Sequence, residues 1–234
     1  MDATNRQLTA IDLGDSPRAW EAAGFSVVDG AVLLGNTLLR LSGSGDRVEG
    51  WAVAGVDHPI DGLPAVAPGA NPSANPSANP GANRAAERAD TDAIGDTVRD
   101  GGAVHPNGIV RIDHVVVRSG DSDRTVAEFE RAGLDVRGGR STNSYGSPMR
   151  QTFLWAGDVI VELIAPDAGE PRTDEPTSIF GLALSAADLD ATSAYLGELL
   201  GTPKAAVQPG RRIAGLRGAK VGISVPVAVM SPHV

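Results

Sequence analysis

Cysteine is absent from the sequence, and this absence excludes several kinds of chemistry at once. The chain can form no disulfides, and it offers no thiolate metal ligands and no cysteine nucleophile. The sequence also lacks any apolar run of about 18 residues, the length that a membrane-spanning helix needs. Its first residues are polar, with no apolar segment behind a basic start. We therefore predict no membrane span and no signal peptide, and we expect a cytoplasmic protein.

Lysine is scarce, since it occurs only twice against 18 arginines, 20 aspartates and 9 glutamates. The formal net charge is -9, so the protein is acidic. Binding to nucleic acid needs a basic face, and we therefore expect no nucleic-acid partner. The aspartate excess fits a cytosol of high salt, in which negative charge keeps a protein dissolved. A GC-rich genome, which favours arginine over lysine, explains the same bias equally well.

Common catalytic and nucleotide-binding motifs are also missing. The sequence has no glycine-rich phosphate loop, no Gly-x-Ser-x-Gly elbow and no His-Glu-x-x-His. These absences leave nucleotide binding and serine hydrolysis without support. Hydrophobic residues make up 41% of the chain, which is enough to bury a core.

The stretch from Ile109 to Pro166 has the pattern of one complete βαβββ module. An apolar run over 112–117 predicts a strand, and a helix start at Asp121 is followed by a stop at Gly133. Two apolar runs, 151–155 and 159–164, flank a Gly-Asp turn and predict a hairpin.

Residues 8–56 look like a smaller copy of this module. Leu8–Leu13 predicts a strand, and Ser16 followed by Pro17 predicts a helix N-cap and first helical position. Gly24 ends a short helix, and a second hairpin is centred on Gly35 and Asn36.

A third copy is predicted from Ser178 to Pro232. It begins with a strand over 179–184 and continues with a helix capped by Asp188 and terminated by Gly201. Runs at 211–216 and 221–230 predict the closing strands, with Pro226 marking an edge or a bulge. The apolar stripe of the helix consists of leucines, namely Leu189, Leu196, Leu199 and Leu200.

Between the first and second copies the composition changes abruptly. Residues 71–82 contain three tandem four-residue units built on Asn-Pro. Proline removes a backbone donor and disfavours helix in the residue before it. The other side chains are too small for their burial to offset the entropy lost when the chain is ordered. We predict a disordered linker over 63–107, between a domain at 1–62 and a domain at 108–234.

The central module carries a resemblance to a known family. Its Ile-Asp-His-Val-Val-Val opening, Asp-Ser-Asp-x-Thr helix start, Ala-Gly-Leu exit and Val-Glu-Leu-Ile-Ala-Pro ending resemble the vicinal oxygen chelate superfamily, the glyoxalase-like proteins. The resemblance implies an α+β fold in which paired βαβββ modules, here 108–168 and 176–234, form a curled mixed sheet around a cleft. The N-terminal third module would be degenerate.

The resemblance also implies where a metal would bind. In this family the ligands are His or Glu residues on the first and last strands of both modules, which puts His114 and Glu162 at ligand positions. Aligning the third copy places Gly181 and Ala228 at the corresponding positions, so the second pair of ligands is missing. Aligning the first copy places Leu8 and Arg40 there. For Arg40 the alternatives are an anion-binding residue and a solvent-facing strand arginine.

Two ligands are fewer than the three that a catalytic metal usually has. His114 and Glu162 would suit one divalent ion (Zn, Ni, Mn or Fe), with the amide of Gln151 or with His233 as a third ligand. The structural alternatives are a hydrogen-bonded core histidine and a glutamate that pairs with Arg150 or Arg212.

Other side chains are candidates for binding a substrate, and Gln151 is one of them. Arg150, Arg211 and Arg212 lie at matched positions of the two modules and are candidates to clamp a carboxylate or phosphate, with solvent exposure as the alternative. Phe153 and Trp155 would line a cavity or pack in the core.

The leading prediction is a glyoxalase-like protein that binds a small oxygenated metabolite. It would act as a lyase or isomerase with His114 and Glu162 as catalytic residues and with an incomplete metal site. The first alternative is a metal-free protein of the same fold that binds or sequesters a small molecule. The second is a homodimerising scaffold without catalysis, in which the N-terminal module would complete a partner's open half. Whether the protein is an enzyme stays open at this point.

Overall fold

A computed structural model describes residues 6–45, 47–68, 104–143, 147–167, 172 and 174–232. Within these residues the chain forms a four-stranded sheet, an eight-stranded sheet and three α-helices. The first sheet contains β1 Leu8–Leu13, β2 Ala31–Leu34, β3 Thr37–Leu41 and β4 Val48–Val53. The second contains β5 Ile109–Arg118, β6 Val136–Thr142, β7 Met149–Ala156, β8 Val159–Pro166, β9 Ser178–Ala186, β10 Lys204–Ala205, β11 Arg212–Gly215 and β12 Val227–Met230. The helices are α1 Pro17–Ala22, α2 Ser122–Arg131 and α3 Leu189–Leu196.

The eight-stranded sheet consists of two βαβββ modules joined edge to edge. Its strand order is β10-β11-β12-β9-β5-β8-β7-β6. The first and last strands of each module pair in parallel, β5 with β8 and β9 with β12. The two first strands, β5 and β9, pair antiparallel and join the modules. The fold predicted from the resemblance, an α+β protein with paired βαβββ modules in a mixed sheet, is confirmed.

Both helices of the eight-stranded sheet begin at the predicted aspartates. Asp121 accepts a hydrogen bond from the Arg124 amide, and Asp188 accepts from the amides of Asp190 and Ala191. These caps satisfy amide donors of the first turn that have no partner within the helix. The predicted stop at Gly201 is wrong, because α3 ends four residues earlier, where Gly197 has a positive φ.

The predicted closing strand over 221–230 is too long. Residues 218–220 form a 3-10 turn, and the strand itself is only Val227–Met230. Proline has no amide hydrogen to donate to a ladder, and β12 begins directly after Pro226.

The two faces of the eight-stranded sheet differ in character. On the face that α2 and α3 cover, called the helix face below, Val115, Leu154 and Val161 are fully buried with Phe129 of α2. The opposite face carries His114 and is called the site face. Side chains of a strand alternate between faces, so the register assigns Glu162, Phe153 and their cross-strand neighbours to the site face.

The four-stranded sheet has the order β2-β3-β1-β4. Strand β1 pairs in parallel with β3, as β5 does with β8, while β4 pairs antiparallel with β1 on its other side. In the eight-stranded sheet β9 holds that place beside β5. The two sheets share one hydrophobic core, in which the rings of Trp51 and Phe129 lie 6.0 Å apart.

The structure describes only the two ends of the predicted linker. At the first end, Leu63 is buried, and the segment after it hydrogen-bonds to Trp51 along the outer edge of β4. At the second end, the buried ring of His105 accepts a hydrogen bond from the Ser26 amide and bonds the Leu33 carbonyl. The Asn-Pro repeats lie outside the described residues.

None of the helices in the described part of the chain is long and apolar enough to cross a bilayer.

Candidate functional site

The structure brings His114 and Glu162 together on the site face. His114 lies on β5 and Glu162 on the parallel neighbour β8, with His114 Nε2 3.4 Å from Glu162 Oε2. Their side chains are 12% and 9% exposed, so both are largely shielded from water but can still be reached from the site face. An imidazole and a carboxylate therefore lie close together in a largely buried environment.

A β-bulge places Asp113 directly behind His114. The register between β5 and β9 shifts between Ile112 and His114, and Asp113 is the extra residue. Its carboxylate oxygen Oδ1 lies 2.9 Å from His114 Nδ1. Because Asp113 is an acceptor, Nδ1 carries the proton and Nε2 is the ring nitrogen that faces Glu162.

Asp113 is held by a buried arginine from the second module. Arg211 is 4% exposed, and its two terminal nitrogens lie 3.3 and 2.5 Å from the two carboxylate oxygens. The same guanidinium donates to the Ser231 carbonyl, and the Ser185 hydroxyl donates to Asp113 at 2.9 Å. The carboxylate is therefore oriented from three sides.

These contacts keep Asp113 ionised. Burial raises the pKa of its carboxyl, but hydrogen bonds from His114, Arg211 and Ser185 outweigh burial and hold that pKa well below its ordinary value. A permanent negative charge beside Nδ1 stabilises a positive charge on the His114 ring.

Gln151 orients Glu162 from the opposite side. Its amide nitrogen donates to Glu162 Oε1, and its amide oxygen accepts from Arg140 Nε at 2.5 Å. The opposite amide orientation would place oxygen against the carboxylate and NH₂ against the guanidinium, so the network fixes the assignment. Gln151 is 4% exposed and acts as a donor to Glu162.

The result is a continuous polar chain across four strands. It runs from Arg140 on β6 through Gln151 on β7 and Glu162 on β8 to His114 on β5. Between Nε2 and Oε2 two acceptors face each other, unless a proton or a cation lies between them. A proton or a cation at that point would satisfy both atoms.

The strand register tests whether the second module contributes metal ligands. Glu162 pairs with Val116 in the first module, and Ala228 pairs with Ala183 in the second. The N-cap aspartates align the two modules in the same frame, which puts Ala228 at the position of Glu162.

The same alignment puts Gly181 at the position of His114. A side chain there would clash, because a Cβ on Gly181 would lie 2.8 Å from the Pro226 carbonyl oxygen. The second module thus offers a glycine and an alanine where the family has ligands. Both positions are the ones that the sequence alignment gives.

A three-ligand metal centre does not fit the described residues. Among them no group of three or more histidine, aspartate or glutamate side chains is arranged to hold a metal ion. Gln151 turns its NH₂ towards the site, which removes it as an oxygen ligand. His233, the other candidate third ligand, lies outside the described residues. Two protein groups fall short of the three that catalytic metal sites usually have.

Arg150 and Arg212 are not brought to this cluster. Arg150 pairs with Asp123 in the first turn of α2, and Arg212 makes the equivalent pair with Asp190 of α3. Both arginines lie on the helix face and are exposed by 47% and 43%. Their positions match between modules, as the sequence indicated.

Phe153 and Trp155 extend the site face beyond Glu162. Phe153 pairs directly with Glu162 and is half-buried, while Trp155 pairs with Ile160 and is 44% exposed. The guanidinium carbon of Arg140 lies 5.5 Å from the centre of the Phe153 ring. An aromatic, partly apolar surface therefore borders the polar chain.

The first copy of the module lacks the site, although one alignment from the sequence needs correction. Arg40 pairs with Asp12 across β1 and β3, and the register places Ala10, two residues earlier, at the position of His114. The predicted equivalent, Leu8, is therefore wrong by two residues along the strand. Arg40 forms an ion pair with Asp12 at 2.5 Å.

The sequence interpretation missed two members of the cluster. Asp113 carried a usable signal, because an Asp-His pair inside an apolar strand run indicates a bulge. Arg140 carried none, since its strand β6 is exposed along nearly its whole length and has no apolar alternation.

Some solved structures of other proteins are similar to about half of this chain. No family model and no curated protein matches the chain. A solved structure of methylmalonyl-CoA epimerase from Mycobacterium tuberculosis is 18% identical with a TM-score of 0.43, over 54% of this chain and 91% of that one. A Streptomyces coelicolor methylmalonyl-CoA epimerase in complex with 2-nitronate-propionyl-CoA is 21% identical with a TM-score of 0.41, over 54% and 99%. A hypothetical protein from Bacillus halodurans is 17% identical with a TM-score of 0.41, over 53% and 95%.

Likenesses this distant carry no information on substrate or metal. The strand order itself shows the paired βαβββ fold that the resemblance in the sequence implies.

Proposed function

We propose that this protein binds a small oxygenated metabolite on the site face and transfers a proton at a carbon next to its carbonyl group, as an isomerase or a lyase. The observation that carries the proposal is the 3.4 Å approach of His114 Nε2 to Glu162 Oε2 in a nearly buried site. Paired acid and base groups at such a distance serve general acid–base catalysis.

The roles follow from the partners of each group. Glu162 is the base and takes the proton from carbon, while Gln151 holds its second oxygen. His114 is the acid in its doubly protonated form: Nδ1–H bonds Asp113, and the second proton, on Nε2, passes to or bonds the carbonyl oxygen as negative charge develops there. Asp113 stabilises the charged imidazole from behind. When the carbon that loses its proton carries a hydroxyl, Glu162 returns the proton to the former carbonyl carbon while that hydroxyl gives its proton to His114, which gives an isomerase. When the next carbon carries a leaving group, that group departs with the proton from Glu162 while the carbonyl re-forms and returns its proton to His114, which gives a lyase.

Exchange of solvent deuterium tests the proposal. We would follow carbon-bound protons of a panel of small aldehydes, ketones and oxo acids by ¹H NMR in D₂O. We expect one or more compounds to exchange with the wild type and Glu162→Gln to slow that exchange by about 10²- to 10⁴-fold. Glu128→Gln, the same change on the outer surface of α2, is the matched control. The proposal fails if no compound exchanges or if Glu162→Gln exchanges at the wild-type rate.

A metal-free binding protein is the second candidate. The exposed ring of Trp155 beside Phe153 favours it, because aromatic surface with nearby polar groups binds small ligands without any chemistry. A ligand that changes the Trp155 fluorescence, together with no exchange in any compound of the panel, would support this function over catalysis.

A further inference from the structure

Arg140 stands at the outer end of the polar chain with part of its guanidinium unused. Its Nε donates to Gln151, and its plane lies over the Phe153 ring, so two contacts fix the group. The Nε bond uses one of the five N–H donors of the guanidinium, and the side chain is exposed on the edge strand β6. The remaining donors form a fixed fork at the border of the site.

Among the described residues Arg140 forms no ion pair with a carboxylate. Arg118, Arg150 and Arg212 each pair with a carboxylate, and Arg211 is buried against Asp113. Its hydrogen-bond partner is the neutral amide of Gln151, so no described carboxylate offsets its charge. This position at the outer end of the polar chain suits an anionic ligand.

We infer that the substrate carries an anionic group, a carboxylate or phosphate, which Arg140 binds while Glu162 and His114 face the carbonyl end. This inference rests on the proposed function and names its substrate class. The amide of Gln151 bridges the guanidinium and the Glu162 carboxylate. The anionic group and the reacting carbon must therefore be close together, as in a short oxo acid or a small phosphorylated carbonyl compound.

Phe153 contributes to the same recognition. The ring lies within cation–π distance of the guanidinium carbon and helps to hold the group in place. A positioned fork binds a carboxylate or phosphate through two parallel hydrogen bonds, which a flexible cation cannot do.

Binding of unreactive anions tests the inference without requiring turnover. The probes are malonate, phosphonoacetate and the neutral analogue malonamide, titrated by calorimetry into wild type, Arg140→Gln and Arg140→Lys. We expect malonate or phosphonoacetate to bind the wild type and malonamide to bind much more weakly. Arg140→Gln should weaken anion binding by about 10- to 100-fold, with partial recovery in Arg140→Lys. The stronger of the two anions identifies carboxylate or phosphate as the recognised group.

Arg150→Gln is the matched control, since it removes an exposed arginine from the helix face of the neighbouring strand. It should leave anion binding unchanged. Circular dichroism and the melting temperature confirm that each variant is folded. Equal affinity of the wild type and Arg140→Gln, or no binding of either anion to the wild type, overturns the inference.

The inference and the proposed function fail separately. Glu162→Gln should keep anion binding while it loses deuterium exchange. Anion binding that depends on Arg140, with no exchange in any compound, would end the proposed catalysis and leave the anion site. Exchange confined to neutral compounds would leave catalysis and end the inference.

Discussion

At the scale of single residues, the buried pair of Asp113 and Arg211 decides how the site is built. Their side chains are 1% and 3% exposed, so neither charge is hydrated. A buried ion pair gains little over an apolar replacement, but removing one partner leaves the other charge without compensation. The pair is therefore explained by what it does for His114 rather than by stability alone.

Replacing only the arginine should be costly. We expect Arg211→Met to lower the free energy of unfolding by about 3–5 kcal/mol, because it leaves the Asp113 carboxylate buried without its main partner. Urea denaturation measures the loss. The double variant with Asp113→Asn should recover a large part of it, since the uncompensated charge is gone. A double variant no more stable than Arg211→Met would contradict this explanation.

His105 gives the stability a specific pH dependence. Burial lowers its pKa, against a smaller raising effect of the hydrogen bond to the Leu33 carbonyl, and the ring accepts a proton from the Ser26 amide only when neutral. The unfolded chain then binds a proton more readily than the folded one. The stabilisation is full above the unfolded pKa of about 6.5 and is lost as pH falls through that value towards the folded pKa.

The measurement compares wild type with His105→Gln by urea denaturation at several pH values between about 5 and 8. We expect the wild type to lose stability on acidification over this range and His105→Gln to lose distinctly less. Parallel curves for the two proteins would show that His105 does not titrate as described.

At the scale of secondary-structure elements, the local sequence pattern predicted the elements that alternate apolar and polar residues or begin at a capping residue. The hairpins, the strand Leu8–Leu13 and the three helix starts follow from alternation and from Ser16, Asp121 and Asp188. The edge strand β6 was missed because its Gly138 and Gly139 and its exposed polar residues give no apolar period. The meeting of His114 and Glu162 followed from the resemblance. Arg211 and Arg140 were placed only by long-range strand pairing.

The crowding at Gly181 predicts the result of an attempt to rebuild the second half of a metal site. A Cβ at this position would lie 2.8 Å from the Pro226 carbonyl oxygen, which is itself held by the Leu182 amide. We expect Gly181→Ala to cost about 1–3 kcal/mol through overpacking, and Gly181→His to cost no less. Ala183→Gly, a control on the same strand, removes a methyl group without a clash. Thermal denaturation that finds Gly181→Ala as stable as wild type would refute this.

At the scale of the whole molecule, Asp61 joins the two sheets. Asp61 follows β4 in the chain, and its carboxylate lies 2.9 Å from Arg124 of α2. It also accepts hydrogen bonds from the hydroxyls of Thr125, in α2, and Thr177, directly before β9. Burial raises the pKa of Asp61, but these hydrogen bonds outweigh it and lower the pKa below its ordinary value. Together with the shared core, this contact indicates that the described parts of the chain fold as one unit.

One unit should unfold in one transition. In single-tryptophan variants, Trp20 or Trp51 reports the four-stranded sheet and Trp155 the eight-stranded sheet. We expect their urea midpoints to coincide. Asp61→Ala should lower both midpoints together, with a loss of about 1–3 kcal/mol in the free energy of unfolding. Asp57→Ala, whose carboxylate is fully exposed, should change neither. If Asp61→Ala moves only the Trp20 and Trp51 signals, the sheets fold separately.

The position of β4 has a consequence for how copies of this protein can associate. In the N-terminal unit the last strand, β4, pairs with β1 along the edge that corresponds to the β5–β9 seam of the other two units, and residues 64–66 line the far side of β4. A foreign strand entering there would first have to evict a native one. This edge of β1 is therefore occupied within the chain itself.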